Sequence, residues 1–271
     1  MDRPRVLIKG AGDLASAVAH RLYAAGFLIA MTEIPAPLSV RRGVSFSEAV
    51  YDREKSVEGV LAQLVSGTDQ IERSWRDGLI AVLVDPQLAI LDDVAFDGLV
   101  EATLSKKKTP GIDPSRASAV VALGPGWSAP DDVHFVVETQ RGHDLGRVIH
   151  HGQAAPNTGI PGAVQGFTHE RILRAPCDGR IFPLFDIGYT VEAGAVVATV
   201  AGVELKAAIS GILRGMHRAG TPVTEGLKVG DVDPRGNHET CYTISDKGRA
   251  VAGGVLEALL SGGIVDLKRK I

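Results

Sequence analysis

Cysteine is almost missing from this chain: 271 residues hold two, Cys177 and Cys241. Two thiols make no disulfide framework, and a reducing, cytoplasmic setting is the expectation. Aromatic residues make up 5% of the chain, too few for the stacking platforms of a single-strand nucleic-acid binder. An excess of positive charge is also lacking. The net charge of −3 gives neither nucleic acid nor an anionic membrane a field to follow. No apolar run approaches the ~20 residues of a membrane span, and the N-terminus enters an apolar run without the regions of a signal peptide. His143, His150, His151 and His169 match no standard zinc spacing and have no flanking cysteine, so no metal site is expected.

Glycine, in contrast, is abundant. Its 32 copies recur at defined places rather than in low-complexity tracts, in a chain 45% hydrophobic and long enough for two domains. The first concentration organises the N-terminal half. Residues 6–8 form a short apolar run, Gly10-Ala11-Gly12 turns the chain, and Leu14, Ala15, Val18 and Leu22 then share one face of a helix. Gly26 ends that helix, a second apolar run spans 27–31, and Glu33 closes it, 23 residues beyond Gly10. Strand, glycine turn, helix, strand and acid is the order of a dinucleotide-binding βαβ unit. In that reading Gly10 permits the tight turn and Gly12 lets backbone approach a phosphate. Asp13 sits in the first helical turn, and Glu33 meets a ribose diol. The same order also serves a sheet that binds nothing.

Arg41-Arg42 follows a proline-broken loop. The pair suits either a phosphate or a solvated loop, and Ser45 with Glu48 reads as a capping box opening a short helix. Residues 56–75 read as helical with a polar interruption at 67–69. Residues 79–84, 119–123 and 133–139 read as strands, and 99–104 as a strand or short helix. Gly124-Pro125-Gly126 falls at the carboxyl end of a strand, where open α/β sheets bind ligands, so Gly124 and Gly126 join the candidate site. The organisation expected is a Rossmann-like parallel-sheet domain over 1–150 and a Gly/Pro-rich linker over 151–170. A duplicated β module over 171–232 follows, with a C-terminal loop and helix over 233–271.

The duplication is direct. Residues 175–200 and 207–232 superpose without a gap at an offset of 32, matching Gly179, Gly188 and Gly194 to Gly211, Gly220 and Gly226. Ile181 with Leu213, and three valines in each copy, complete the register. Two such units interlocked around one core resemble the barrel-sandwich hybrid of biotinyl and lipoyl domains. The connector, 201–206, carries neither carrier motif, and Lys206 abuts the second copy instead of a hairpin tip. No covalent biotin or lipoate is therefore expected. In the last helix, Ser245 or Asp246 is placed to cap, Val251, Val255 and Leu259 make the apolar stripe, and Gly253-Gly254 implies close packing. Cys241 precedes that helix by a few residues. A thiol there is either a nucleophile favoured by helix N–H groups or a buried, inert one, with Asp246 and Lys247 as its polar neighbours.

Assembled, the motifs resemble the YqeB family of selenium-dependent molybdenum hydroxylase system proteins. They are VLIKGAGDLAS (6–16), LSVRRGVSFSEAVY (38–51), VLVDP (82–86), LGPG (123–126), ETQRGHDLGRVI (138–149), PNTGIPG (156–162), KVGDVDPRG (228–236) and CYTISDKGRAVAGGVLEALL (241–260). Gly248, where the family has alanine, and Gln140, where it has asparagine, depart from the pattern. The resemblance implies a cytoplasmic accessory factor in the maturation of a molybdenum hydroxylase, partnered by that enzyme or its maturation machinery. The N-terminal unit is similar, at the level of fold alone, to XdhC-type chaperones. The candidate cofactors are NAD(P) or a molybdenum-cofactor nucleotide; a homo-oligomer is left open. Two rivals remain: an NAD(P)-dependent oxidoreductase with His143 or Lys106 as proton donor, and a non-catalytic adaptor with an empty fold.

Overall fold

A computed structural model describes residues 3–105, 107–159 and 162–265. They divide into two units. The first comprises residues up to Pro37, Ser45–Asn157 and the segment from Ile244 onward; the second comprises Leu38–Val44 and Thr158–Thr243.

The first unit opens as its sequence pattern predicts, with β1 (Arg5–Lys9), α1 (Asp13–Ala24) and β2 (Leu28–Glu33). It continues through α2 (Ala49–Asp52), β3 (Glu54–Val57), β4 (Val60–Val65), α3 (Thr68–Arg76), β5 (Ile80–Val84), β6 (Gly98–Glu101) and β7 (Ala119–Leu123). The two-residue β8 (Ser128–Ala129), β9 (Phe135–Val137), β10 (Val148–Ile149) and β11 (Gly152–Gln153) follow. These strands build a nine-stranded sheet of order β10-β9-β7-β6-β1-β2-β5-β4-β3, with β8 and β11 paired apart from it.

The Rossmann-like parallel domain expected from the sequence is corrected here. The sheet is mixed, because β3 runs antiparallel to β4 at one edge and β10 antiparallel to β9 at the other. The chain inserts a hairpin where a second strand–helix–strand unit was expected, so β5 rather than β4 neighbours β2. Between β5 and β6, and between β6 and β7, short 3-10 turns and loops replace crossover helices. The hairpin also replaces the first part of the helix read over 56–75, while α3 keeps the part beyond the polar interruption. Glu58 (φ 44°) and Gly59 (φ 83°) both sit in the left-handed region, the two-residue turn that matches strand twist. Glu58 is held there by accepting from the Ile244 amide (2.8 Å) and from Arg249 (2.7 Å). Ser45 makes no capping bond; a 3-10 turn over Phe46–Glu48 leads into α2 instead.

One face of the sheet packs Leu7, Ala30, Leu99 and Val120 against Ile71 and Trp75 of α3 and against Leu88. Strands buried on both faces read as continuous apolar runs, which is why β1, β5 and β7 were legible. The closing helix, α4 (Asp246–Ser261), is capped by the Ser245 hydroxyl, which accepts from the Gly248 amide at 3.1 Å. α4 packs closely on α1, since a Cβ on Gly248 would stand 2.9 Å from that of Ala17.

The second unit contains β12 (Ile172–Arg174), β13 (Gly179–Pro183), β14 (Thr190–Val191), β15 (Val196–Val200), β16 (Val203–Lys206), β17 (Gly211–Met216), β18 (Pro222–Val223) and β19 (Lys228–Asp233). The barrel-sandwich module expected from the repeat is likewise corrected. The strands form two four-stranded antiparallel sheets, β12-β19-β17-β14 and β16-β15-β13-β18. Each sequence copy contributes to both, β14 of the first pairing with β17 and β18 of the second pairing with β13. The matched glycines share backbone conformations: Gly188 and Gly220 have φ 97° and 79°, and Gly194 and Gly226 have 86° and 77°. Ile181, Val197, Leu213 and Val229 fill the core between them. Among the described residues, no helix is long and apolar enough to cross a membrane.

Candidate functional site

The glycine turn after β1 is bonded on every side. The Gly10 amide donates to Thr32 O (2.8 Å), and Gly10 needs its φ of 96° because β1 ends in a reversal there. The Ala11 carbonyl accepts from the Ser47 amide (2.9 Å) and the Ser16 hydroxyl (3.0 Å). Glu33, read as a ribose acceptor, instead accepts from the Ala11 amide on Oε2 (3.0 Å) and from its neighbour Ile34 on Oε1 (2.8 Å). Burial raises the Glu33 pKa, against the pull of those two amides. Gly12 is the N-cap of α1 in ordinary extended backbone, φ −67°.

Three of the candidate glycines converge on residues 102–105, the segment leaving β6. A Cβ on Gly10 would stand 3.3 Å from the Ala102 carbonyl. One on Gly124 (φ 73°) would stand 2.7 Å from Thr139 Oγ1 and 3.5 Å from Leu104, and one on Gly126 would lie 4.0 Å from Ser105 O. The turns after β1, β6 and β7 and the end of β9 thus meet at the carboxyl edge of the parallel strands. The edge also carries polar groups that the sequence reading missed. Lys9 and Glu101 are the last residues of β1 and β6, buried at 5% and 0% exposure. Their only sequence signal was a charge ending an apolar run.

A second cluster lies where α4 begins. Arg141 forms a two-pronged pair with Asp246 (2.6 and 2.8 Å). Glu138, just past β9, accepts from the Gln140 and Ala155 amides, both at 2.7 Å. Burial lowers the Lys247 pKa, opposed first by the charge of Asp13 on α1. Asp13, Asp246 and Lys247 are therefore grouped in one unit with the glycine turns. Farther along the same edge, a cleft of about 490 Å³ opens beside the N-terminus of α3, between the ends of β4 and β5.

The remaining candidates fall elsewhere. Arg41 and Arg42 belong to the second unit and bind backbone there. Arg41 donates to the Thr240 (2.9 Å) and Thr243 (3.1 Å) carbonyls, and Arg42 to Met216 O (2.7 Å). Cys241 is also in the second unit, fully buried, its thiol 3.9 Å from Leu213 O. Burial pushes that thiol up, which counters the nucleophile reading. Asp246 and Lys247 lie in the first unit. His143 is exposed, and Lys106 lies outside the described residues.

No protein-family model matches the chain. Among curated proteins it is 44% identical over 255 residues to YqeB of Escherichia coli K12, which supports the YqeB family and says nothing of a molybdenum hydroxylase. The match covers 94% of this chain and 47% of that protein, so the chain spans about half the length of the relative it matches. Solved structures with partial likeness include an aspartoacylase family protein of Mesorhizobium loti, 13% identical, covering 85% of each chain, at a TM-score of 0.26. The product-bound ectoine utilization protein EutE of Ruegeria pomeroyi is 14% identical over 85% of each chain, at 0.27. A succinylglutamate desuccinylase/aspartoacylase of Rhodobacter sphaeroides is 15% identical over 85% of each, also at 0.27. Likeness at that level says nothing about the activity of this chain.

Proposed function

We propose that this chain is an accessory factor for the maturation of a molybdenum hydroxylase, selenium-dependent in the setting its family resemblance implies. Its first unit binds a nucleotide or nucleotide-bearing cofactor at the carboxyl edge of the parallel strands. The observation that carries the binding half is the meeting of Gly10, Gly124 and Gly126 around residues 102–105 at the start of α1. The missing side chains let residues 102–105 lie against the Gly10 turn, so a ligand enters where that segment yields, and a helix start favours its anionic part. Lys247 and Arg141, on α4 and the β9–β10 loop, are the cations that would meet a phosphate. The maturation half rests on the motif resemblance; the homologue supports the family and not that role. The hydroxylase, or its maturation machinery, is the partner under this reading.

Titration calorimetry with NAD(H), NADP(H), cytidine and guanosine nucleotides tests the binding half. One of these is expected to bind below millimolar concentration, and Gly10→Ala, whose new methyl meets the Ala102 carbonyl, to weaken it at least tenfold. Heatless titrations at millimolar ligand for all of them would leave the adaptor reading in its place.

A further inference from the structure

Three polar residues stand side by side at the strand ends, on the face opposite α1. Glu101 of β6 is in register with Lys9 of β1, and Lys9 with Thr32 of β2. In-register residues of parallel strands point to one face, here the face of Leu7, Ala30 and Leu99, each two residues earlier. All three are buried, Thr32 at 1% exposure. Glu101 and Lys9 form no ion pair among the described residues. The Lys9 ammonium donates to Pro110 O at 2.6 Å instead.

The hydrogen bonds of Glu101 are one-sided. Oε1 accepts from the Thr103 amide (3.3 Å), the Thr103 hydroxyl and the Thr109 hydroxyl (3.4 Å). Oε2 is fully buried with no partner among the described residues, and so is the neighbouring Thr32 Oγ1. A carboxylate would leave half of a full charge desolvated and unbonded there, a costly state. A neutral carboxyl fits the geometry better. Its carbonyl is Oε1, facing three donors, and its hydroxyl is Oε2, a donor still lacking an acceptor. Burial is the largest influence on this group and raises its pKa, opposed by Thr103 and by the charge of Lys9. Lys9 in turn is lowered by burial and raised by Glu101 and Asp85.

The segment following Glu101 is the one against which Gly10 packs, and it contains Leu104 at φ 55°, a strained conformation for a branched side chain that is 41% exposed. We propose that Glu101 is a protonated residue of the ligand site, whose Oε2 hydroxyl donates to a phosphate oxygen held beside the Gly10 turn once residues 102–105 shift. This rests on the nucleotide reading and deepens it. An ionised carboxylate would repel the phosphate, whereas a neutral one binds it.

Two measurements on the full chain test the proposal. The infrared difference spectrum of wild type minus Glu101→Gln at pH 7 is expected to show the carbonyl band of a neutral acid. Pyrophosphate affinity, titrated from pH 6 to 9, is expected to fall by up to about tenfold per pH unit as Glu101 ionises. In Glu101→Gln, which keeps a donor, that fall should be absent, leaving only the slope set by ionisation of pyrophosphate and of Lys247. Carboxylate bands, or the same pH slope in the variant, overturn the proposal and leave nucleotide binding standing. A neutral-acid band without pyrophosphate or nucleotide binding overturns the nucleotide reading, and with it phosphate as the partner of Glu101. A pH titration of the band in wild type alone serves if the variant is poorly folded.

Discussion

Adjacent glycines in the middle of α4 should respond to alanine with opposite signs. An alanine at either position recovers about 1 kcal/mol of helix propensity. At Gly253 nothing lies within 4 Å of the new methyl, so Gly253→Ala should realise that gain. At Gly254 the methyl would stand 2.1 Å from Gly146 O and 2.9 Å from Val137 Cγ1. The oxygen belongs to backbone that is itself anchored, because the Gly146 amide donates to Glu138 O at 2.9 Å. Gly146 cannot retreat by changing shape either. Its φ is 84°, and its own Cβ position is blocked by Ala250 O at 2.6 Å. Relief therefore means moving the helix or the loop by about an ångström, at the upper end of the ~1–3 kcal/mol that overpacking costs. After the propensity gain, Gly254→Ala should lose about 2 kcal/mol. At about 2–4 °C per kcal/mol for a chain of this size, thermal unfolding followed by circular dichroism should rise about 2–4 °C for Gly253→Ala and fall about 4–8 °C for Gly254→Ala. Shifts of the same sign would refute the packing of α4 on the β9–β10 loop.

Two further outcomes are expected. In the native chain a thiol-alkylating reagent should label the half-buried Cys177 and spare Cys241 until denaturant is added, as read by mass spectrometry. Rapid native labelling of Cys241 would restore it as a sulfur-handling candidate. Stability should also weaken at both ends of the pH range. Burial lowers the His217 pKa, so its contribution is complete above the ordinary histidine value of about 6.5 and is lost as pH falls through the lowered one. Glu33 and Glu101 are raised, so theirs is complete below about 4.3 and is lost as pH rises through their folded values. Urea midpoints from pH 4 to 9 read both arms, and His217→Gln should flatten the acidic one alone.

What the sequence revealed depended on whether the signal was local. β1, α1 and β2 were legible because an apolar run, a glycine turn and a 3.6-residue stripe succeed one another within thirty residues. The repeat was legible because its glycines hold the same left-handed backbone in both copies. Sheet order was not legible. Nothing in residues 54–65 announces that β4 pairs with β5 rather than β2, and Glu58 at positive φ hid the hairpin, since turn signals favour Asn or Asp there. Arg41 and Arg42 were grouped with Glu33 from nearness in sequence, whereas the chain passes into the second unit at Leu38, where both donate to backbone carbonyls. Lys9 and Glu101 were passed over because a charge that ends a strand resembles any solvated terminus until its burial is seen.

Glu33 shows how a correct motif can mislead about chemistry. The acid stands where a ribose acceptor was expected, but both of its oxygens are engaged by backbone N–H groups, one of them within the glycine turn. A sugar hydroxyl reaching Glu33 would have to share Oε2 with the Ala11 amide, and displacing that amide would open the turn proposed to hold a phosphate. Glu33 is thus better suited to fixing the turn than to choosing the ligand. Under the proposed binding, discrimination falls instead to residues 102–105, which pack on the Gly10 turn, and to the glycine turn after β7. It follows that variation after β6 and β7, more than at Glu33, should decide what related chains bind.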